Sequence, residues 1–387
     1  MQTMIWKRRV YLDVASGMSG NPSSAHEEGR NAKMRLDRAR ERIARLLEVK
    51  ADDVVFTGNA TESNALAILG SVRASGVARA HVLFLPSAHA SIVENVKRLQ
   101  KEGADVEPLV VKDGRVDLDA LQKALRPETL LVTMEAVCGE TGVIWNTREV
   151  AEVLRRGSAE YKTGSTQAAR PIQHPVSHSL SPRLHIDASQ APLTEKVTRS
   201  HFGADVLTFD VSKISSERGL GVLVAHRTIP IESLYRGGGQ ERGLRPGSEA
   251  VLLAETFADA LEHATRQRED FKERASHIRG RFLDELLREV PEALINEGGE
   301  HVPNILNVSL VGRDTDYLVA LLDSMGFAVS TRSACETDSE EGSRAVYTLT
   351  GDADRAKSTL RISWGHTASI RELRSLVTAL KKAIPLA

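Results

Sequence analysis

Two stretches decide the fold of this chain: Leu184-His-Ile-Asp-Ala-Ser-Gln190 and, a short helix later, Asp205-Val-Leu-Thr-Phe-Asp-Val-Ser-Lys213. Each is an apolar run of strand length that ends in polar residues, the pattern of parallel strands covered on both faces. Open α/β sheets collect ligands at the carboxyl ends of such strands. Asp187 and Lys213 are therefore expected at one crevice. An amine that can form a Schiff base, beside a carboxylate that can hold a pyridine nitrogen protonated, is the pairing that suits pyridoxal phosphate. Taken alone, a lysine after a strand is usually solvated surface, so the rest of the chain has to carry the reading.

With 387 residues the chain has room for roughly two or three domains and a well-buried core. Basic and acidic residues balance at 51 and 52, which gives no electrostatic case for direct nucleic-acid binding or for an anionic membrane. No apolar run approaches the roughly 20 residues that span a bilayer. The basic opening, Met1 to Tyr11, lacks the apolar stretch and cleavage site of a signal peptide. Cys138 and Cys335 make no disulfide framework. The expected location is cytoplasmic.

Upstream of the deciding stretches, apolar residues at helical spacing mark a helix from about 24 to 49. Val54-Val-Phe-Thr57 reads as a strand that runs through Gly58 into a helix near Thr61. Strand, glycine turn and helix start make an anion site at Ala60 and Thr61, although the same residues also read as an ordinary N-cap. The strand 81–85 ends before His89, which places this histidine at the same sheet edge; a loop histidine is also commonly a hydrogen-bonded surface residue. A strand at 106–111, a helix at 116–125 and a strand at 129–134 continue the alternation. The class is α/β, with a mostly parallel, doubly wound sheet. Residues 157–182 are polar and proline-bearing and are expected to be a mobile surface insertion. Its His174 and His178 flank Pro175, which argues against a helical metal pair, and no metal is expected.

Downstream come a strand at 219–225 and the loop Gly237 to Ser248, whose glycines and Arg245 can wrap an anion or simply turn. A long helix at 250–287, strands at 304–310 and 360–364, and helices at 317–324 and 370–384 complete the chain. The expected organisation is a large domain, 10–250, and a smaller C-terminal α/β domain, 251–387, with residues 1–9 packing against the latter.

Read together, the motifs resemble the NifS/IscS-type cysteine desulfurases of the class V aminotransferase family. The resemblance rests on an ordered set: Asn21-Pro-Ser-Ser-Ala-His26, Ala60-Thr-Glu-Ser63, Ser87-Ala-His89, Glu140-Thr-Gly142, His185-Ile-Asp-Ala-Ser-Gln190, Ser212-Lys213, the triple-glycine loop, Ser333-Ala-Cys335 and Leu360-Arg-Ile-Ser363. It implies a fold of the pyridoxal-phosphate transferase type and conversion of L-cysteine to L-alanine with a persulfide on the enzyme. Lys213 would carry pyridoxal 5′-phosphate, Asp187 pair with its ring nitrogen, and Gln190 bond its phenolic oxygen. His89 would lie over the ring and relay protons. Ala60, Thr61 and Ser212 would hold the phosphate, and Ser248 would reach it from the other subunit of a homodimer. Arg361 would clamp the substrate carboxylate. Cys335 would take the sulfur and pass it to an acceptor protein, an iron–sulfur scaffold or a tRNA-thiolation enzyme. The resemblance also leaves room for a selenocysteine lyase or β-lyase on the same fold, and for a weakly active or non-catalytic cofactor-binding scaffold of a sulfur-transfer complex.

The sequence departs from the family pattern at several points. Asp210 and Ser212 stand where a serine and a histidine that contact phosphate are usual, and an inward Asp210 would repel a dianion. Cys138-Gly139 replaces an asparagine pair, Ser216-Glu-Arg218 replaces Gly-Pro-Lys, and Arg332 replaces a small residue before Cys335. The segment between Asp13 and Gly20 is short.

Overall fold

A computed structural model defines residues 9–163, 182–331 and 342–387. In chain order the strands of the first half are β1 (Val54–Thr57), β2 (His81–Phe84), β3 (Asp105–Pro108), the hairpin pair β4 (Val111–Lys112) and β5 (Arg115–Val116), and β6 (Thr129–Glu135). Then follow β7 (Arg183–Asp187), β8 (Val206–Asp210) and β9 (Gly221–Ala225). Seven of these form one sheet in the order β1-β9-β8-β7-β6-β2-β3. All neighbours from β8 to β3 are parallel, and only β9 runs against its two neighbours. The mostly parallel α/β fold expected from sequence is what the chain adopts.

The buried runs explain why. Residues 184–187 and 206–209 are buried without interruption, as strands covered by helices on both faces must be. The register sets Glu135, Asp187 and Thr208 side by side at the carboxyl ends of β6, β7 and β8. Asp210 ends β8, and residues 211–213 form a single tight turn that carries Lys213 out of the strand.

The helices of the first half are α1 (Glu27–Leu46), α2 (Ala60–Ala65), α3 (Ser71–Ser75), α4 (Ala90–Lys101), α5 (Leu118–Ala124), α6 (Thr147–Thr163) and α7 (Arg199–Phe202). A π turn at Leu66–Gly70 joins α2 to α3 without a break in helical dihedrals. The second half holds α8 (Val251–Glu289), α9 (Thr315–Ser324), α10 (Arg344–Thr350), α11 (Ala353–Lys357) and α12 (Ile370–Ala383) around the antiparallel sheet β10 (Leu294–Ile295), β11 (Ile305–Ser309) and β12 (Thr359–Ser363). The main apolar core lies around the large sheet, and a second gathers Phe282, Leu306, Leu318, Leu360 and Leu376. Helix α8 belongs to both: Ala254, Phe257 and Leu261 pack in the first, Ile278, Phe282 and Leu286 in the second.

Some expectations need correction. The first seven residues of the supposed insertion, 157–163, continue α6, a helix the sequence reading had not placed at all. Val150, Ala151, Val153 and Leu154 bury its inner side, and the glycine at 157 is tolerated inside it. The rest of the insertion (164–181, with His174 and His178), residues 1–8 and the segment 332–341 with Arg332 and Cys335 lie outside the described residues. The strand expected at 106–111 stops at Pro108, and the turn at Gly114 starts a hairpin instead. Two short helices, α10 and α11, appear where none was expected, each capped by a polar side chain, Ser343 and Asp352.

Candidate active site

At the carboxyl ends of β6, β7 and β8 the chain leaves a cleft of about 370 Å³. Lys213, Asp187, Gln190, His89, Ala60, Thr61, Ser212 and Arg361 all line it, so residues from five separate parts of the sequence meet at one place. Ser248 is exposed and is not among the lining residues of its own chain's cleft.

Asp187 is buried and held at both oxygens. Its Oδ1 accepts the Ser189 backbone N–H at 2.9 Å, and its Oδ2 accepts from Asn64 Nδ2 at 2.7 Å. Asn64 is a hub. Its Nδ2 also donates to Ser91 Oγ at 2.8 Å, and its Oδ1 accepts from Thr208 Oγ1 at 2.5 Å. Behind it, His185 bridges Thr133 and Thr208 at 2.7 and 3.2 Å. Burial pushes His185 down to about 4, which keeps it neutral in this network. Sequence reasoning missed Asn64; the signal was a buried amide in a helix one turn after the glycine turn, with partners too far along the chain to foresee.

His89 caps α4. Its Nδ1 accepts the Ser91 N–H at 3.2 Å and lies 2.8 Å from Ser91 Oγ. A nitrogen that accepts a backbone N–H carries no proton, so the neutral ring bears its hydrogen on Nε2. Burial lowers the pKa of His89; Asp187 opposes that shift and Lys213 reinforces it. The imidazole is therefore a neutral group that feels both charges of the site.

Glu135 is a further lining residue that the sequence reading passed over. It is buried, its Oε1 has no hydrogen-bond partner among the described residues, and burial followed by the Asp187 charge pushes its pKa well up. The buried Cys138 thiol is likewise pushed up, first by burial and then by Glu135. Both shifts favour the neutral forms.

The small sheet closes the opposite wall. Arg361, on β12, donates from Nη1 to the Gly139 carbonyl at 3.2 Å, and Asn307 donates to the Glu140 carbonyl at 3.3 Å. Ser343 Oγ donates to Glu140 Oε2 at 2.6 Å. Glycine at 139 leaves room for Gln190: a Cβ there would stand 3.0 Å from its Nε2.

The end nearest α2 differs from expectation. Asp210 points into it. Its Oδ2 accepts the Ala60 N–H at 3.0 Å, and its Oδ1 accepts Ser212 N–H at 2.9 Å and Ser212 Oγ–H at 2.6 Å. Donors expected to meet an external anion are thus satisfied by the chain's own carboxylate. Two unit charges roughly 4 Å apart repel by about 4 kcal/mol at a dielectric typical of the protein surface, and a phosphate brings nearly two.

Lysine, aspartate and a capping histidine thus meet in one cleft at the carboxyl edge of a mostly parallel sheet. The family model for aminotransferase class-V matches residues 9–180 and 163–376. The chain belongs to that family. It is 30% identical over 367 residues to cysteine desulfurase IscS 1 of Archaeoglobus fulgidus, covering 94% of this chain and 90% of the relative. Among solved structures it is similar to a NifS-like protein with a TM-score of 0.83 at 25% identity, covering 97% of this chain and 94% of that one. It is also similar to SspA in complex with cysteine, with a TM-score of 0.70 at 25% identity, covering 89% and 90%.

Proposed function

We propose that the chain is a cysteine desulfurase. It would take L-cysteine, release L-alanine and leave the sulfur as a persulfide on Cys335 for an acceptor protein, either an iron–sulfur scaffold or a tRNA-thiolation enzyme. The observation that carries this reading is the doubly held Asp187 facing one cleft with Lys213, His89, Gln190 and Arg361. The relatives named cysteine desulfurase and the family membership support it.

The family's cofactor is pyridoxal 5′-phosphate. The ring end of the cleft fits it: Asp187 suits a protonated pyridine nitrogen, Gln190 a phenolic oxygen, and Lys213 an aldehyde. The phosphate end does not fit in the usual way, because Asp210 already satisfies the Ala60 amide and Ser212. When bound, such a cofactor supplies an electron sink for cleavage of the bonds next to an amino acid's nitrogen.

The remaining work falls to this chain's own residues. Arg361 would hold the substrate carboxylate with its planar fork. Lys213 would take the α-proton, and His89 Nε2 would hold or return a proton near the thiol. The balance is simple: the β-carbon–sulfur bond breaks, the β-carbon gains a proton, and the sulfur joins the Cys335 thiolate. Exposure of Ser248 away from its own cleft supports a homodimer in which it reaches the neighbouring one. Two cysteines without a disulfide framework support a cytoplasmic enzyme. The two apolar cores support a larger and a smaller unit, proposed as 10–250 and 251–387, although the first turns of α8 pack into the core of the larger one.

The test is direct. Incubated with excess L-cysteine, alkylated and digested, the protein should carry a persulfide on Cys335 and release alanine, and Cys335→Ser should do neither. Alanine release from selenocysteine alone would make it a lyase instead. Neither alanine nor persulfide, despite a borohydride-reducible cofactor on Lys213, would leave a non-catalytic scaffold.

A further inference from the structure

The anion-binding end of the cleft is built to the same standard as the ring end, but it is filled from within. Asp210 closes β8 and is the register partner of Gly221 on β9. Gly221 is glycine because Asn59 presses on it: a Cβ there would stand 2.3 Å from the Asn59 carbonyl carbon. That approach fixes the start of α2 beside β8, so the leading amide at Ala60 falls within reach of Asp210 Oδ2 at 3.0 Å. The other oxygen holds Ser212 twice, at 2.9 and 2.6 Å, through its amide and its hydroxyl. Three donors converge on one carboxylate at the place where a free helix start would greet a phosphate.

We propose that Asp210 acts as a built-in anion that excludes a phosphate dianion from this end of the cleft and selects an unphosphorylated pyridine aldehyde of the pyridoxal class. This deepens the desulfurase reading and rests on it for the ring end of the cleft. An unphosphorylated aldehyde ends in a hydroxymethyl group, a neutral donor that a carboxylate accepts. A phosphate ester ends in acceptors only, and it would meet a like charge with the nearby donors already engaged. The ring contacts at Asp187, Gln190 and Lys213 are the same for both aldehydes, so the choice is made at Asp210.

The test is a titration of the full-length apo-protein with pyridoxal and with pyridoxal 5′-phosphate, reading dissociation constants from the absorbance of the lysine adduct. Borohydride reduction and peptide mapping then locate the adduct. Wild type should bind pyridoxal at least as tightly as its phosphate ester. Asp210→Ser should tighten the phosphate ester at least tenfold and weaken pyridoxal, whose hydroxymethyl group loses its acceptor. Asp210→Asn keeps an acceptor for the Ala60 amide and nearly the same shape, so it guards against misfolding; it should move the same way by a smaller factor. A wild type that prefers the phosphate ester a hundredfold, with no change in either variant, overturns the proposal and leaves the desulfurase reading standing. No adduct on Lys213 with either aldehyde in any of the three proteins sinks both.

Discussion

Asp187 and Asp210 end adjacent parallel strands and begin with the same local device. In each, Oδ1 accepts the backbone N–H two residues on, at 2.9 Å. They part at the second oxygen. Asp187 Oδ2 meets the Asn64 side chain, itself braced by Thr208 and bonded to Ser91, so a buried carboxylate is held in place while still lining the cleft. Asp210 Oδ2 meets the first amide of α2, and its Oδ1 takes the Ser212 hydroxyl as well. On the proposed reading, one residue type in one kind of turn thus serves as a partner for a cationic ring nitrogen in the first case and as an occupant of an anion site in the second. What the second oxygen finds decides the role.

The comparison can be broken most forcefully at Asp187. Asp187→Asn keeps the shape and removes the charge, and desulfurase activity should fall by about a thousandfold, the scale of removing one preorganised charge-stabilising group. Far-ultraviolet circular dichroism should stay unchanged; activity within tenfold of wild type would show that this carboxylate is not the electrostatic anchor. Asn64→Ala tests the brace rather than the charge. It strands a buried carboxylate oxygen, so stability in urea should drop by about 1–3 kcal/mol. Activity should fall as well, and the same substitution should leave the Asp210 end of the cleft unaffected, seen as an unchanged ratio of pyridoxal to pyridoxal-phosphate affinity.

The smallest effect is expected at Glu135, the third strand-end carboxylate. Its folded-state pKa is raised, so the stability it contributes is present below the ordinary carboxylate value and is lost as pH rises through the folded one. Glu135→Gln keeps the neutral form at every pH. Its melting temperature should therefore exceed that of wild type at pH 8 by a few degrees, and the gap should close towards pH 4. A gap that widens on acidification would mean that Glu135 is ionised in the folded protein.

The central sheet was legible because its strands are short, continuous apolar runs with polar ends, a pattern that survives in a single sequence. The place of Asp187 and Lys213 followed from the same rule. Asn64 was not legible: its partners Asp187 and Thr208 lie 123 and 144 positions away, and only the parallel register of β7 and β8 brings them to α2. Asp210 stood out as an unusual residue, but its direction depends on the close pass of Asn59 over Gly221, which no local pattern reveals. Helix α6 was overlooked because a glycine and a polar tail masked an apolar side that is plain once its packing is seen.

Helix α8 runs 39 residues, roughly 58 Å, with Phe257 sunk in one core and Phe282 in the other. A rod rooted at both ends is a tie-beam: neither core can melt without dragging on the other. Denaturation should accordingly be a single cooperative event, and a helix-breaking proline in the mid-span should split it in two.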